Sequence, residues 1–388
     1  MRIAIVGAGL AGLTLSAALH RNGIAAHVYE QAPELAEVGA GIQLAPNAGR
    51  LLHRLGLADR LDKVAVRPVA LEMRRYHDNA VLFRHGLGAD CADLYGAPYY
   101  TVHRAHLHQA LLDLLPSDSV TLDSQVVAVT DREEDVLLEF ADGRSATADL
   151  VVGADGIHSL LRARIVTDQP RFSGHAAYRG LVPAERLSHL LDEPKVLLWF
   201  GPGQHVVCYP ISGGRTISFV ATAPAGGWRV ESWQASGSVE ELAEAYEGWH
   251  PEVLGVLRAA DSVQKWALHD RDPLRRWRDG RVVMVGDAAH PVLPFGAQGA
   301  AQGIEDAAAL ARCLTDATPT GLDEALDRYE RNRRPRIAAV RAWVQSNTRN
   351  HHYDDGEQQR QRDGAMDANW GLTSQEWLYG YDAERLDG

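Results

Sequence analysis

The chain has 388 residues, 46% of them hydrophobic and 23% charged, an ordinary globular composition with length for two or three domains. A formal net charge of -12 argues against nonspecific binding to nucleic acid or to an anionic membrane, and leaves an anionic small substrate open because pocket charge is local. Three scattered cysteines, Cys91, Cys208 and Cys313, offer neither a disulfide framework nor metal-type spacing and suit a reduced cytoplasm. Arg2 is followed by only four apolar residues before Gly7, so the start does not read as a signal peptide. No window approaches the roughly 18 apolar residues of a membrane span.

Ile3–Val6 is a continuous apolar run, the pattern of a buried parallel strand. It leads into Gly7-Ala8-Gly9-Leu10-Ala11-Gly12, and residues 13–22 then read as a helix with Gly23 at its C-cap. A second strand, Ala26–Tyr29, ends at Glu30, 18 residues after Gly12 and just before Gln31. In a dinucleotide fingerprint the glycines permit the turn, the approach of backbone to pyrophosphate and close helix–strand packing. The acidic residue accepts from ribose hydroxyls. Gly7, Gly9, Ala11, Gly12, Glu30 and Gln31 are therefore cofactor candidates, although this motif alone does not separate NAD from FAD.

Further along, residues 150–152 form a buried-type strand before Gly153-Ala154-Asp155-Gly156, with a helical pattern resuming at residues 160–162. Residues 196–200, 205–211 and 215–222 are strand-like runs joined by glycine-containing turns, predicting an antiparallel sheet of hairpins. Residues 239–247, 251–260 and 323–349 read as helices, the last expected to kink or split at Pro335. Residues 281–285 form a strand before Gly286-Asp287. A proline-bracketed loop from Pro291 to Pro294 follows, and then a helix of about fifteen residues opening near Gly299-Ala300. The Asp287 carboxylate suits the ribitol hydroxyls of a flavin, and that helix N-terminus suits its pyrimidine edge. Asp155 and Asp287 would also serve as plain turn caps. Three glycine-rich turns, each after an apolar run and each with different chemistry, are what one FAD needs along its length. Residues 351–364 read as a loop, and residues 370–382 as an aromatic segment docked on the body.

The chain resembles the single-component FAD-dependent aromatic hydroxylases. The resemblance rests on Gly39-Ala40-Gly41-Ile42-Gln43-Leu44-Ala45-Pro46-Asn47, Thr101-Val102-His103-Arg104-Ala105-His106-Leu107, the Asp155-Gly156 and Gly286-Asp287 turns and Trp377-Leu378-Tyr379-Gly380-Tyr381-Asp382. It looks closest to the branch holding salicylate hydroxylase, 3-hydroxybenzoate 6-hydroxylase and 6-hydroxynicotinate 3-monooxygenase. The resemblance implies an α/β fold with a Rossmann-like, glutathione-reductase-like FAD-binding domain (1–67, 97–170 and 275–345). This is interleaved with a substrate domain of antiparallel sheet and helices (68–96 and 171–274) and followed by a C-terminal extension (346–388). It also implies noncovalent FAD, reduced by NADH or NADPH that docks transiently, and transfer of one oxygen from a C4a-hydroperoxide to an electron-rich ring. Arg104 would contact the cofactor, Val126 would lie by the adenine, and Asp155-Gly156 would affect both FAD and NAD(P)H. No second dinucleotide fingerprint is present.

On one strand, His205 and Tyr209 would face the same side about 13 Å apart, and the related hydroxylases share this His-x-x-x-Tyr arrangement. A phenolate ring is attacked far faster than a phenol, so the site needs a base with a pKa near neutrality. His205 is the candidate base and Tyr209 the hydrogen-bond donor or relay. The bland alternatives are a surface histidine and a roof-packing tyrosine. Gln43, near both substrate and cofactor, and Phe295, beside Pro294, replace histidines of the pyridine-hydroxylating relatives, which weakens a hydroxynicotinate reading and suggests a more hydrophobic pocket. Arg179 and Arg215 are candidate carboxylate clamps. His20, His53, His103, His106 and His108 show no metal-ligand pattern and receive no chemistry. The resulting expectation is a cytoplasmic monooxygenase taking NAD(P)H, O2 and a small phenolic or acidic aromatic. A homodimer is left open. The alternatives are a flavoprotein that epoxidises or oxidises a natural product, and a flavin-binding redox sensor without turnover.

Overall fold

The computed structural model describes residues 1–35, 40–226, 236–315 and 317–386. Gly39, the first residue of the Gly39–Asn47 motif, lies outside the described residues.

The first sheet has six strands, in the order Arg278–Asp279, Val282–Met284, Leu150–Gly153, Ile3–Val6, Ala26–Tyr29 and Val120–Thr121. All pairs are parallel except the first. The wholly apolar Ile3–Val6 run is buried throughout because it lies at the centre with a strand on each side. Register then decides where the chemistry goes. Val6 pairs with both Tyr29 and Gly153, and Gly153 pairs with Met284. The four strands therefore end level, and the turns after them emerge together at the carboxyl edge, where open α/β sheets bind ligands.

The helices Leu10–Arg21 and Gly299–Leu314 pack against each other and on the core of this sheet. Their contact is close because it is built from glycine: a Cβ on Gly303 would lie 3.0 Å from that of Ala11. A three-stranded meander, Val126–Asp131, Val136–Phe140 and Ser145–Ala148, covers the Ala4, Val6 and Tyr29 side.

The second large sheet has eight strands, in the order Ser236–Gly237, Val263–Asp270, Arg171–Pro183, Thr216–Pro224, Gln204–Ile211, Lys195–Gly201, Ala70–Arg75 and Val81–Gly86. Its pairs are antiparallel, save the parallel pairing of Lys195–Gly201 with Ala70–Arg75. Side-chain alternation gives it two different faces. Val206, Cys208, Phe219 and Ala221 pack on the helices Val239–Ala245 and Pro251–Arg258. His205, Val207, Tyr209, Val220 and Thr222 point the other way, toward the carboxyl edge of the first sheet.

Two expectations are corrected here. Leu322–Asn350 is one helix of 29 residues that continues through Pro335. Arg333 and Arg336, on either side of the proline, pair with the buried carboxylates of Glu305 and Asp306. Residues 351–364 are not all loop, since Glu357–Gly364 is helical. Its glutamine, glutamate and arginine residues are good helix formers. The closing segment docks as expected, with Leu378 and Tyr379 buried and Arg336 donating to the Trp377 and Leu378 carbonyls.

Candidate active site

A cleft of about 380 Å³ runs between the carboxyl edge of the parallel sheet and the inner face of the antiparallel one. Its floor is the Gly7–Gly12 turn. Gly7 has φ +107°, and a Cβ there would sit 2.5 Å from the Ala154 carbonyl oxygen; at Gly12 a Cβ would lie 2.1 Å from the Gly7 oxygen. Only glycine is tolerated at either position. Gly9 differs, because a Cβ there would meet nothing within 4 Å. Gly9, Leu10 and Ala11 border open space, so backbone is presented to a ligand. The turn is braced from both sides. Glu30 accepts from the Ala8 and Ala32 amides at 2.8 and 2.9 Å, and His108 Nε2 lies 2.7 Å from the Ala8 oxygen.

Asp287 opens into the cleft near Arg104. Surrounding protein raises its carboxyl pKa, and the nearby His290 and Arg104 partly offset this. Gly286 turns at φ +60° and donates its amide to Asp306 at 2.8 Å. Asp306 in turn holds His290 at 2.6 Å and Arg333 at 2.8 Å. Gly299, Ala300 and Gly303, at the start of the Gly299–Leu314 helix, border the same space. Free backbone at Gly9, a carboxylate at Asp287 and a helix N-terminus at Gly299 lie along one groove, and these residues fit an FAD.

The other cofactor candidates divide. Asp155 caps a turn, accepting from the Leu160 and Leu161 amides at 2.9 and 3.4 Å, while Ala154, Gly156 and Ile157 border the cleft. Val126 and Tyr29 pack against the same apolar cluster, and the chain leading to Val126 is tied to this end by the Ser124 amide on the Glu30 carbonyl at 2.8 Å. Gln31 is exposed just beyond the strand. Neither Val126 nor Gln31 borders the cleft.

At the far end, the inner face of the antiparallel sheet supplies His205, Tyr209, Arg179 and Trp266. The Tyr209 hydroxyl shares hydrogen bonds with Ser218 and Gln43, and burial pushes its pKa up to about 12, with Arg179 opposing. Gln43 also accepts from the Tyr99 hydroxyl at 2.8 Å. The Arg179 guanidinium lies 4.2 Å over the Trp266 ring; burial lowers its pKa to about 10, which still leaves it charged at neutral pH. A smaller cavity of about 100 Å³ adjoins the cleft, sharing Gln43, His205, Val207, Pro294 and Ala297 with it. Phe295 and Trp343 line it, and so do His85 and His351, whose Nδ1 atoms are buried without a hydrogen-bond partner among the described residues.

His205 is 5% exposed, so it is not a surface residue. Its pKa is not near neutrality as expected. Burial first, and then the neighbouring His351, His352 and His175, hold it well below the ordinary histidine value. Arg215 is also corrected: it sits exposed at the turn after the Gln204–Ile211 strand, outside both cavities. Of the histidines given no chemistry, His53, His103 and His108 make structural hydrogen bonds. His103 caps a helix by accepting from Ala105, and His53 bonds the Tyr100 hydroxyl. Sequence reasoning missed His85, His175, His351 and His352. The adjacent His351-His352 pair was the available signal, but only the long helix carries it to His205. Among the described residues, no group of His, Cys, Asp and Glu could hold a metal ion, and no helix is long and apolar enough to cross a membrane.

Residues 1–344 match the FAD binding domain family. The chain is 48% identical to the 3-amino-4-hydroxybenzoate 2-monooxygenase PtnB3 of Streptomyces platensis over 382 residues, 98% of this chain and 96% of the relative. It is 34% identical to the 6-hydroxynicotinate 3-monooxygenase of Pseudomonas fluorescens, over 98% of this chain and 95% of that one. Its fold matches Klebsiella pneumoniae HpxO complexed with FAD and uric acid at a TM-score of 0.86 and 27% identity, covering 98% and 97% of the two chains. Likeness of this extent, over a groove built for a dinucleotide, means that the chain belongs to the class A FAD-dependent aromatic hydroxylase family and is a flavoprotein aromatic monooxygenase.

Proposed function

We propose that this monooxygenase hydroxylates a phenolic aromatic acid, with 3-amino-4-hydroxybenzoate as the leading candidate, using NADH or NADPH as a transient reductant. The observation that carries the reading is the convergence of Arg179, Tyr209 and His205 on the end of the cleft. The 48% identity to a 3-amino-4-hydroxybenzoate 2-monooxygenase supports the same substrate class.

Bound FAD, held by the glycine turns with Glu30, Arg104 and Asp287, supplies the activated oxygen. The chain's own residues do the rest. Arg179, charged and braced on Trp266, binds the carboxylate in a two-pronged contact. Tyr209 stays un-ionised, because its pKa is raised by burial, and donates toward the phenolic oxygen from a hydroxyl oriented by Ser218 and Gln43. His205, kept neutral by burial, accepts the phenol proton. The resulting imidazolium and phenolate stabilise each other in a low dielectric, which offsets the histidine's low resting pKa. Phe295 and Trp343 line an apolar neighbourhood that excludes water around the ring. Neutral His85 and His351 can accept from an amino or hydroxyl substituent.

The test uses FAD-loaded protein with each nicotinamide in turn and three compounds: 3-amino-4-hydroxybenzoate, its phenol methyl ether and 2-aminophenol. The acid should accelerate nicotinamide oxidation and yield a product with one added oxygen, while the ether and the carboxyl-free phenol should not. Equal turnover of the ether would replace phenolate chemistry with epoxidation or another oxidation. Failure of all three to accelerate the reaction or give product would remove this substrate class.

A further inference from the structure

We propose that His352, from the end of the Leu322–Asn350 helix, is a positioning residue that sets the ring tautomer of His205, so that His205 Nε2 is a bare proton acceptor on the substrate side. The inference rests on His205 acting as the base.

The argument follows hydrogen-bond directions outward from a fixed point. His352 Nδ1 lies 2.7 Å from the Thr348 carbonyl oxygen, which can only accept, so that nitrogen carries the hydrogen. Burial lowers the His352 pKa to about 4, so near pH 7 the ring is neutral and has one N–H. Its Nε2 is therefore an acceptor. His205 Nδ1 lies 2.9 Å from that Nε2 and must be the donor. His205 is neutral as well, so its single hydrogen is committed to Nδ1 and its Nε2 keeps its lone pair. The ring borders both cavities.

The surroundings hold both rings in place. His175, from the Arg171–Pro183 strand, stacks on His352 with centroids 4.6 Å apart and planes at 21°. Phe295 meets both rings edge-on at 5.4 and 5.3 Å, and His351 meets His205 at 5.1 Å. The Tyr246 hydroxyl donates to the His205 backbone carbonyl at 3.3 Å. The titratable groups facing His205 are thus His175, His351 and His352. The relay ends on a carbonyl, not a carboxylate, so it selects a tautomer without adding charge. His352 is half-buried, and so the pair also runs from the cavity toward the surface. Without His352, the His205 hydrogen is free to sit on Nε2, and that form cannot accept a phenol proton.

Two variants and one direct measurement test this. His352→Leu removes the acceptor, while His352→Gln places an amide oxygen near the lost Nε2. In FAD-loaded enzyme, Leu should lower product per NAD(P)H about tenfold or more at neutral pH, with flavin reduction little changed. Gln should restore it to within about twofold of wild type. The Leu defect should shrink as pH rises through the substrate phenol's own pKa, because an ionised substrate needs no acceptor. A fully coupled Leu variant with a wild-type pH profile, or a Gln variant as defective as Leu, would overturn the proposal. Nitrogen NMR of isotope-labelled histidine in the wild-type holoenzyme keeps it testable if Leu does not fold. Hydrogen on Nδ1 of His205 supports the assignment, and hydrogen on Nε2 refutes it. His205→Ala separates the two levels: if it stays fully coupled, the base reading itself fails. If it is defective while both His352 variants are normal, only the positioning role is lost.

Discussion

Asp287 and Tyr209 both line the cleft, and each admits a substitution that tests its proposed contact. Replacing Asp287 by Ala removes a carboxylate acceptor that stands exposed in the cleft. FAD binding should weaken by about 1.5–3 kcal/mol, or roughly 10- to 150-fold in Kd. Titration of the apoprotein with FAD, followed by flavin fluorescence, measures it, and an unchanged Kd would reduce Gly286-Asp287 to a turn. Tyr209→Phe keeps the ring packed against Gly41 and deletes only the hydroxyl. Reduction by NAD(P)H should continue while product per nicotinamide falls and peroxide rises. Full coupling would make Tyr209 roof packing. Residue-level chemistry was partly legible: the four-residue spacing of His205 and Tyr209 on a strand required both to share a face, and both border the cleft. The ionisation state of His205 was not legible, because it depends on rings from residues 175, 351 and 352, which only tertiary structure brings near.

At the level of elements, the loop carrying Asp287 is held by charges buried between two helices. Glu305, Asp306 and Arg333 are fully buried, and Arg333 bridges both carboxylates, with Arg336 adding a second contact to Glu305 at 2.9 Å. Burial pushes both carboxyl pKa values up, but Arg333 and Arg336 beside Glu305, and His290 and Arg333 beside Asp306, hold them below the ordinary range. Arg333→Met retains a long apolar stem but leaves two buried carboxylates under-compensated. It should cost about 3–5 kcal/mol of stability and weaken FAD binding through the Asp306–Gly286 contact. Urea unfolding and FAD titration on the same variant check both effects; wild-type values in both would show that the network is dispensable. Of the kink or split expected at Pro335, the split does not occur, since the helix runs through it. Local propensity predicts a break there, and nothing in the spacing of Arg333 and Arg336 reveals partners about 30 residues upstream. The apolar runs before each glycine turn were legible because a strand buried on both faces needs a continuous apolar stretch.

Across the whole molecule, the parallel register brings three distant turns to one edge, and the antiparallel sheet places its inner face opposite them. The chain after residue 350 then helps close the small cavity, contributing His351, Trp370 and Tyr379. This closure concentrates neutral imidazoles, which gives the protein a pH signature. Burial lowers the pKa of His85 and His352 to about 4, and holds His205 and His351 well below the ordinary value. In the unfolded chain each titrates near about 6.5. Below that pH the unfolded state binds protons that the folded state refuses, so stability falls with acidification. The contribution is fully present above about pH 6.5 and is lost progressively between about 6.5 and 4. At about pH 5.5, His85 and His352 should each account for about 1.4 kcal/mol of lost stability. The buried carboxylates act in a lower window, since their depressed pKa values withdraw stability only below about pH 4. Urea unfolding of the wild type should therefore weaken between pH 7 and pH 5. His352→Gln, which has no group titrating in that range, should show a shallower loss. A wild-type profile that stays flat over this range would mean that the histidines are ordinarily basic in the folded protein. The neutral relay from Thr348 through His352 to His205 would then lose its premise.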